Sequence, residues 1–176
     1  NNVILDMNFG RTNGTGWSDS SSYGVDFNER NAGSALSQIR GYWGMAGNFG
    51  GSIDFVNNSD LPPFDQLDQV TVFMLAKFTD TGQSNILTKR TNANRGIELF
   101  KHPTSAEGFI CTFGDGVADR SGQLRTPITT NEWYVFVCRF DGARGQVDTV
   151  GFNSSGYYRT TESTVTFTPT SISIDG

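Results

Sequence analysis

The ten residues 133–142, WYVFVCRFDG, limit the possible folds of this 176-residue chain more than any other segment. Tyrosine, phenylalanine and cysteine occupy every second position from 134 to 140, with two valines and an arginine between them. Because successive side chains of a β-strand point to opposite faces, this alternation predicts a strand with one fully apolar face. Asp141 and Gly142 then form a dipeptide typical of tight turns, so the strand is predicted to end there.

Short strands separated by turn residues are predicted along the rest of the chain. They begin with an alternating segment at 3–9 and continue through apolar pieces at 35–39, 42–46 and 52–56. The long segment at 70–78 is apolar on both faces and is therefore predicted to be a central strand, followed by a three-stranded meander that ends at residue 113. No helical pattern is comparably strong. The chain is therefore predicted to be an all-β sandwich of two antiparallel sheets, in a single domain spanning 1–176.

The composition argues against several classes of partner. The formal net charge is −5, whereas a protein that binds the nucleic-acid backbone needs a basic face. No stretch approaches the roughly 20 apolar residues that a membrane-spanning helix needs. Charged residues make up only 18% of the chain, and this favours the neutral, hydroxyl-rich and amide-rich surface of many extracellular β-proteins. We therefore expect neither nucleic-acid binding nor membrane insertion.

Two cysteines, Cys111 and Cys138, are too few for a disulfide framework or a four-cysteine zinc site. Each shares the parity of its aromatic neighbours, so both are predicted to point into the core. The sequence leaves two states open, a pair of buried thiols and a cross-strand disulfide. Buried thiols are favoured, because free cysteine packs well as a small hydrophobic residue.

Several motifs follow one another in a recognisable order over most of the chain. They are LDMNF, DSSSYG at 19–24, GGSIDFVNNSDLPPF, VTVFMLAKF, ILTKR leading to GIELF, EWYVFVCRFDG and SISIDG. This order resembles the laminin-G-like and pentraxin-like jelly rolls of the concanavalin A-like lectin/glucanase superfamily. The resemblance implies an antiparallel two-sheet jelly roll.

The same resemblance raises an expectation about the two ends of the chain. In the families that it resembles, the SISIDG-like strand is followed by a turn and one or two strands that pair with the opening strand. Here the sequence stops at Gly176, so the domain is expected to lack those last strands. We therefore expect that a neighbouring protein chain covers the edge of the strand at 3–9, or that the natural protein continues beyond Gly176.

The enzymes of this superfamily carry catalytic motifs that this chain lacks. Its glucanases place three acidic residues on one strand as E-x-D-x-x-E, whereas Glu98 stands alone and Glu132 begins a core strand. Its alginate lyases use a Gln-x-His element, but the only histidine, His102, precedes Pro103 without that glutamine. One histidine also supports no confident Ser/His/Asp or Cys/His triad. The chain is therefore predicted not to be an enzyme, and a polysaccharide lyase or glycosidase is kept as the second alternative.

A calcium site is the one candidate for a metal, and otherwise no cofactor is expected. The segment LTKRTNANRGIELF resembles the pentraxin segment with a calcium-ligating Asp-Asn pair, and the resemblance places Asn92 and Asn94 at those positions without the aspartate. Independently, Asp115 and Asp119 come together in the Gly-rich segment GDGVADRSG, and Ca²⁺ prefers such oxygen ligands. The alternative for this pair is a hairpin in which the aspartates bind backbone amides.

Aromatic residues in Gly- and Asn-rich loops are candidates for sugar binding, because flat rings stack on sugar C–H groups while amides bind hydroxyl groups. The candidate ligand-binding residues are Trp17, Tyr42, Trp43, Asn153, Tyr157 and Tyr158. Trp133 is left out because its parity and the family pattern suggest a structural residue. The alternative for each loop aromatic is a hydrophobic plug beneath its own loop.

These observations predict a non-catalytic module that binds a cell-surface or extracellular glycan. The low number of cysteines favours a bacterial or phage source, and the module is expected on an extracellular or phage-virion surface protein. The alternative is a structural or protein-interaction domain of a virion or a cell-surface assembly, which would show no response to sugars.

Overall fold

The computed structural model describes residues 6–12, 16–23, 27–30, 37–42, 44–49, 55–57, 67–92, 94–103, 108–125, 127–153, 156–161 and 168–172. All the regular elements within these ranges are β-strands, and all their pairings are antiparallel. The all-β class predicted from the sequence is therefore confirmed. The contacts within the chain divide it into two compact units, Asn1–Pro63 and Phe64–Gly176.

The described residues of the first unit form six short strands. They are β1 (Met7–Thr12), β2 (Gly16–Asp19), β3 (Phe27–Arg30), β4 (Ser37–Gly41), β5 (Gly44–Asn48) and β6 (Phe55–Asn57). One sheet has the order β1-β2-β3-β6, and β4 and β5 form a hairpin. The predicted opening strand at 3–9 thus overlaps β1, but residues 1–5 lie outside the described residues. The expectation that another chain covers this edge stays a prediction.

In the second unit, the part of the chain that the structure describes forms eight strands in two four-stranded sheets. They are β7 (Gln69–Lys77), β8 (Ser84–Asn92), β9 (Arg95–Lys101), β10 (Phe109–Asp115), β11 (Asp119–Leu124), β12 (Trp133–Asp141), β13 (Gln146–Asn153) and β14 (Gly156–Thr161). The first sheet has the order β11-β10-β9-β8, which includes the predicted meander, and the second has the order β14-β13-β12-β7.

The two sheets of the second unit pack face to face around large aromatic rings. Phe109 of β10 stacks on Phe136 of β12 with ring centroids 4.2 Å apart, and Phe113 lies 5.3 Å from Phe140. All four rings are buried. The alternation in residues 134–140 therefore has the predicted effect, because the aromatic face of β12 lies against the opposite sheet.

Cys111 and Cys138 form a disulfide between these two sheets. The prediction that both residues are buried is confirmed, but the preference for free thiols is wrong. Alternation shows that each cysteine points inward, but it does not show which strands face each other. Because β10 and β12 do so, the two Cα atoms lie 6.3 Å apart, within the range that a disulfide spans.

The turn after β12 is confirmed at Asp141 and Gly142, and the structure shows why glycine is needed there. The Gly142 amide donates to the carbonyl of Asp68 over 2.8 Å, and its own carbonyl accepts from the Thr170 amide over 3.2 Å. A Cβ atom at position 142 would collide with the Thr170 carbonyl oxygen. The turn is therefore enclosed by backbone on both sides.

The central position predicted for the strand at 70–78 is not what the structure shows. In the described part of the second sheet, β7 is the last strand and pairs only with β12. The prediction assumed that a strand with apolar residues on both faces is buried on both faces and therefore lies in the middle of a sheet. In the structure, one of these faces is exposed, since the side chain of Phe73 is 61% accessible.

Candidate binding face

The side of the second sheet that points away from the core carries an apolar surface, which we call the outer face. Cross-strand neighbours share a face of a sheet, so the register of β7, β12 and β13 defines its rows. One row is formed by Phe73, Val137 and Val150, and the next by Leu75, Val135 and Phe152.

The outer face is accessible to solvent although its residues are aromatic and aliphatic. Phe73 is 61% exposed and Phe152 is 41% exposed, and the four aliphatic side chains between them are only half-buried. Single exposed hydrophobic residues are common on proteins, but a contiguous group of them marks an interaction surface. The outer face is therefore the strongest candidate for a binding surface in the described part of the chain.

Trp133 belongs to one end of this face. It pairs with Lys77 of β7, and the lysine Nζ atom lies 5.5 Å from the centre of the indole ring, within the range of a cation–π contact. The parity of Trp133 is that of Val135 and Val137, opposite to the buried aromatic residues of β12. Its exclusion as a structural residue does not fit this position, and Trp133 joins the candidate residues.

The other end of the face is polar and is organised around Asp141. This side chain is only 1% exposed, and its carboxylate accepts hydrogen bonds from Gln69 Nε2 at 3.0 Å and from the Arg144 amide at 3.2 Å. Arg139 donates to the same carboxylate over 2.7 Å, and Arg144 Nε lies 3.7 Å from it. Burial alone would raise the pKa of Asp141, but these hydrogen bonds and positive charges outweigh it and hold the pKa below its ordinary value.

The substitution Asp141→Asn should lower the stability of the protein at pH 7 and weaken the effect of acid. A carboxylate with a lowered folded-state pKa contributes stability that is complete above its unfolded-state value, near 3.8, and is lost as the pH falls through the folded-state value. The wild type should therefore lose stability below about pH 4 more steeply than the variant. Urea unfolding at several pH values measures both effects, with Asp6→Asn at an exposed carboxylate as the control. Equal pH slopes for wild type and Asp141→Asn would contradict the role of Asp141.

The loop aromatics predicted from the sequence have different environments. Tyr42 lies in the turn between β4 and β5 and is 63% exposed, so its ring is available to a ligand. Trp17 of β2 is only 2% exposed, which fits the alternative of a hydrophobic plug and leaves no ring face for a sugar. Trp43 lies outside the described residues.

The remaining predicted binding residues lie on β13 and β14. Asn153 Nδ2 donates to Glu132 Oε2 over 2.9 Å and to the Tyr134 hydroxyl over 3.3 Å. Its amide thus holds the end of β13 against the segment before β12. Tyr157 pairs with Phe152 and Tyr158 with Gly151 in the β13–β14 register. Tyr157 is therefore the predicted residue whose backbone lies next to the outer face.

The residues predicted to bind calcium lie at one corner of the first sheet of the second unit. The Gly116 amide donates to the Asn94 carbonyl over 2.8 Å, so the β8–β9 and β10–β11 turns touch, and Asn92 lies at the end of β8. Asp115 accepts from the amides of Val117 and Ala118 at 2.9 and 2.7 Å. These bonds match the hairpin alternative.

The carboxylates at this corner accept hydrogen bonds from arginine side chains. Arg120 Nε donates to Asp115 over 3.0 Å, and Arg90 binds both oxygens of Asp119 at 3.0 and 2.9 Å. Although burial would raise the pKa of Asp115, the bonds from the turn amides and from Arg120 hold it below its ordinary value. The described residues contain no group of three or more His, Cys, Asp or Glu side chains placed to hold a metal ion.

Each residue considered for catalysis contacts a different partner, and the contacts do not bring these residues together. Glu98 forms an ion pair with Arg90 at 3.0 Å, and the ring of His102 lies 6.2 Å from that of Phe100. Glu132 accepts from Asn153, as described above. None of these contacts joins two carboxylates across a cleft in the part of the chain that the structure describes.

Comparison with known proteins yields no match to a family model, to a curated protein or to a solved structure. The resemblance to the laminin-G-like and pentraxin-like families therefore stays a prediction. The structure also contains, among its described residues, no helix long and apolar enough to cross a membrane.

Sequence reasoning missed the two phenylalanines that dominate the outer face. Phe73 and Phe152 lie within strands, where an aromatic residue is normally assigned to the core. Val72 and Met74 pair with the buried residues Cys138 and Phe136 of β12, so they point into the core. Phe73 lies between them and therefore points to the opposite face. This parity could be used only once the pairing of β7 with β12 was known.

Proposed function

We propose that this protein is a non-catalytic glycan-binding module, of the adhesion type, and that the outer face of the second sheet holds the sugar. The observation that carries the proposal is the exposure of Phe73 and Phe152 on one face of a sheet that also bears polar groups. A laminin-G-like jelly roll on an extracellular or phage-virion surface protein is the setting that we propose for this module.

The chemistry of the outer face suits a sugar ring. The C–H groups of a sugar stack on aromatic faces, and Phe73 and Phe152 present such faces on strands separated only by β12. Hydroxyl groups need hydrogen-bond donors and acceptors nearby. Gln146 and Asp148, which bond each other over 2.9 Å, and Arg139 supply them at the polar end of the same sheet.

Replacement of Phe73 by alanine should weaken glycan binding roughly fivefold, because a stacking ring supplies on the order of 1 kcal/mol. The melting temperature should change little, since the side chain is 61% exposed. A glycan array first identifies the sugar, and titration of that sugar into each variant then measures the affinity.

Two exposed residues outside the outer face serve as controls. Val117→Ala removes an exposed apolar side chain, 80% accessible, from the β10–β11 turn and should leave the affinity unchanged. Tyr42→Ala tests the alternative that a loop aromatic forms the platform. Loss of binding in Tyr42→Ala with full binding in Phe73→Ala would place the sugar at the β4–β5 turn and overturn the outer face as the site.

A protein-interaction domain is the second candidate function, and one observation favours it. Leu75, Val135, Val137 and Val150 are aliphatic and offer neither a flat ring nor a hydrogen bond to a sugar. Such side chains suit the apolar centre of a protein interface. An array without any bound glycan, together with a partner protein whose binding Phe73→Ala abolishes, would favour this candidate.

A further inference from the structure

We infer that the glycan held by the outer face is acidic, a chain with carboxylate or sulfate groups. This inference rests on the proposed function and specifies its ligand class. It follows from the placement of cationic side chains on both sides of the two apolar rows along the strands, with Phe73 between them.

The first cationic position is Lys77, at the end of β7. Lys77 pairs with Trp133, and its ammonium group lies over the indole ring rather than against a carboxylate. A cation that lies over a ring keeps its hydrogen-bond donors available on the side that points to solvent. An anionic group of a ligand next to Leu75 and Phe73 would therefore meet Lys77.

The second cationic position combines Arg139 and Arg144 at the polar end. Both guanidinium groups approach the single buried carboxylate of Asp141, at 2.7 and 3.7 Å. Each guanidinium has five N–H donors, so one carboxylate that also binds Gln69 cannot satisfy both groups. Arg139 is 43% exposed and Arg144 is 71% exposed, and their remaining donors can reach a ligand.

The spacing of the two positions suits an extended chain. Arg139 pairs with Thr71, six residues along β7 from Lys77, which corresponds to about 20 Å at the rise of a β-strand. Phe73 lies between them in the same strand. A linear polymer with repeated negative groups could therefore stack on Phe73 and bind a cation on either side.

The local charge also differs in sign from that of the whole protein. Lys77, Arg139 and Arg144 together with the two carboxylates of this face, Asp141 and Asp148, carry one net positive charge, whereas the whole chain carries −5. An acidic ligand is thus favoured near these cations on a protein whose net charge is negative.

The test compares charged and uncharged forms of the same polymer: polygalacturonate with its methyl ester, and dextran sulfate with dextran. The purified protein should bind the charged member of at least one pair at least tenfold more tightly, and this preference should shrink as NaCl is added. Lys77→Gln and Arg144→Gln should each weaken binding of the charged form roughly three- to fivefold, with only a small effect on the melting temperature. Both side chains are exposed, so neither change disturbs the core.

Arg40→Gln is the matched control, because it removes one positive charge from exposed strand β4. It should leave binding unchanged, and a loss equal to that of Lys77→Gln would show unspecific attraction and overturn the inference. Equal affinity for the charged and uncharged forms in both pairs would overturn it too. In that case, binding that still depends on Phe73 would leave the proposed function intact, whereas no binding to any glycan would overturn both.

Discussion

The substitution Phe136→Ala should lower the free energy of unfolding by roughly 3–5 kcal/mol, the cost of removing a large aromatic side chain from a packed core. Phe136 is only 1% exposed, and its ring lies 4.2 Å from that of Phe109 and 5.4 Å from that of Tyr134, both in stacked geometry. Phe78 contributes a third ring at 6.3 Å. A cavity at this position would remove contacts to both sheets at once, and the β-strands around it cannot close it without a shift of the backbone.

Guanidinium chloride unfolding followed by circular dichroism measures this change. Phe73→Ala is a matched control, since it truncates the same residue type on the opposite face of the same sheet. It should cost less than about 1 kcal/mol, because most of its ring is already in water. Equal midpoints for wild type and Phe136→Ala, or a larger loss in Phe73→Ala, would show that the two faces of the sheet are assigned the wrong way round.

Removal of the disulfide by the double substitution Cys111→Ala and Cys138→Ala should cost about 3–4 kcal/mol. The bond closes a loop with a sequence separation of 27 residues, and the chain-entropy model gives this magnitude for a loop of that length. The bond also joins the two sheets of the second unit at the centre of their aromatic core, where the Thr149 hydroxyl donates to the Cys111 Sγ atom over 3.6 Å.

The state of the two cysteines can be measured before any variant is made. Alkylation of the protein in denaturant without a reductant, followed by mass spectrometry, should show no modified thiol, and two modified thiols after reduction. In the native protein, both sulfur atoms are buried, so reduction should be slow until the protein is unfolded. Two reactive thiols in the denatured, unreduced protein would restore the state that the sequence favoured.

Local patterns in the sequence are sufficient for most strands of the second unit. The alternation at 133–140 and the Asp141-Gly142 turn depend on residues close in the chain, and both occur in the structure as predicted. The segment at 70–78 and the meander that ends at residue 113 form strands for the same reason, because period-two alternation and turn chemistry are properties of a few neighbouring residues. The burial of Cys111 and Cys138 also follows from parity alone.

Local patterns were not sufficient to predict the burial of side chains whose environment depends on distant parts of the chain. Trp17 and Tyr42 have similar Gly-rich surroundings in the sequence, yet one is buried and the other exposed. No local pattern marks Lys101 as buried, yet it is 2% exposed, with its ammonium group 3.6 Å from Asp80 and over the ring of Phe78. The contacts of Lys101 come from residues more than 20 positions earlier in the chain, which local alternation does not specify.

The sequence by itself therefore determined the all-β class, most strands of the second unit and the inward face of β12. Only the tertiary structure decided the Cys111–Cys138 bond, the exposure of Phe73 and the cations on either side of it. The physical reason is the range of the interactions: alternation is set by neighbours in the chain, whereas disulfide formation and solvent exposure depend on which strands pair and which sheets face each other.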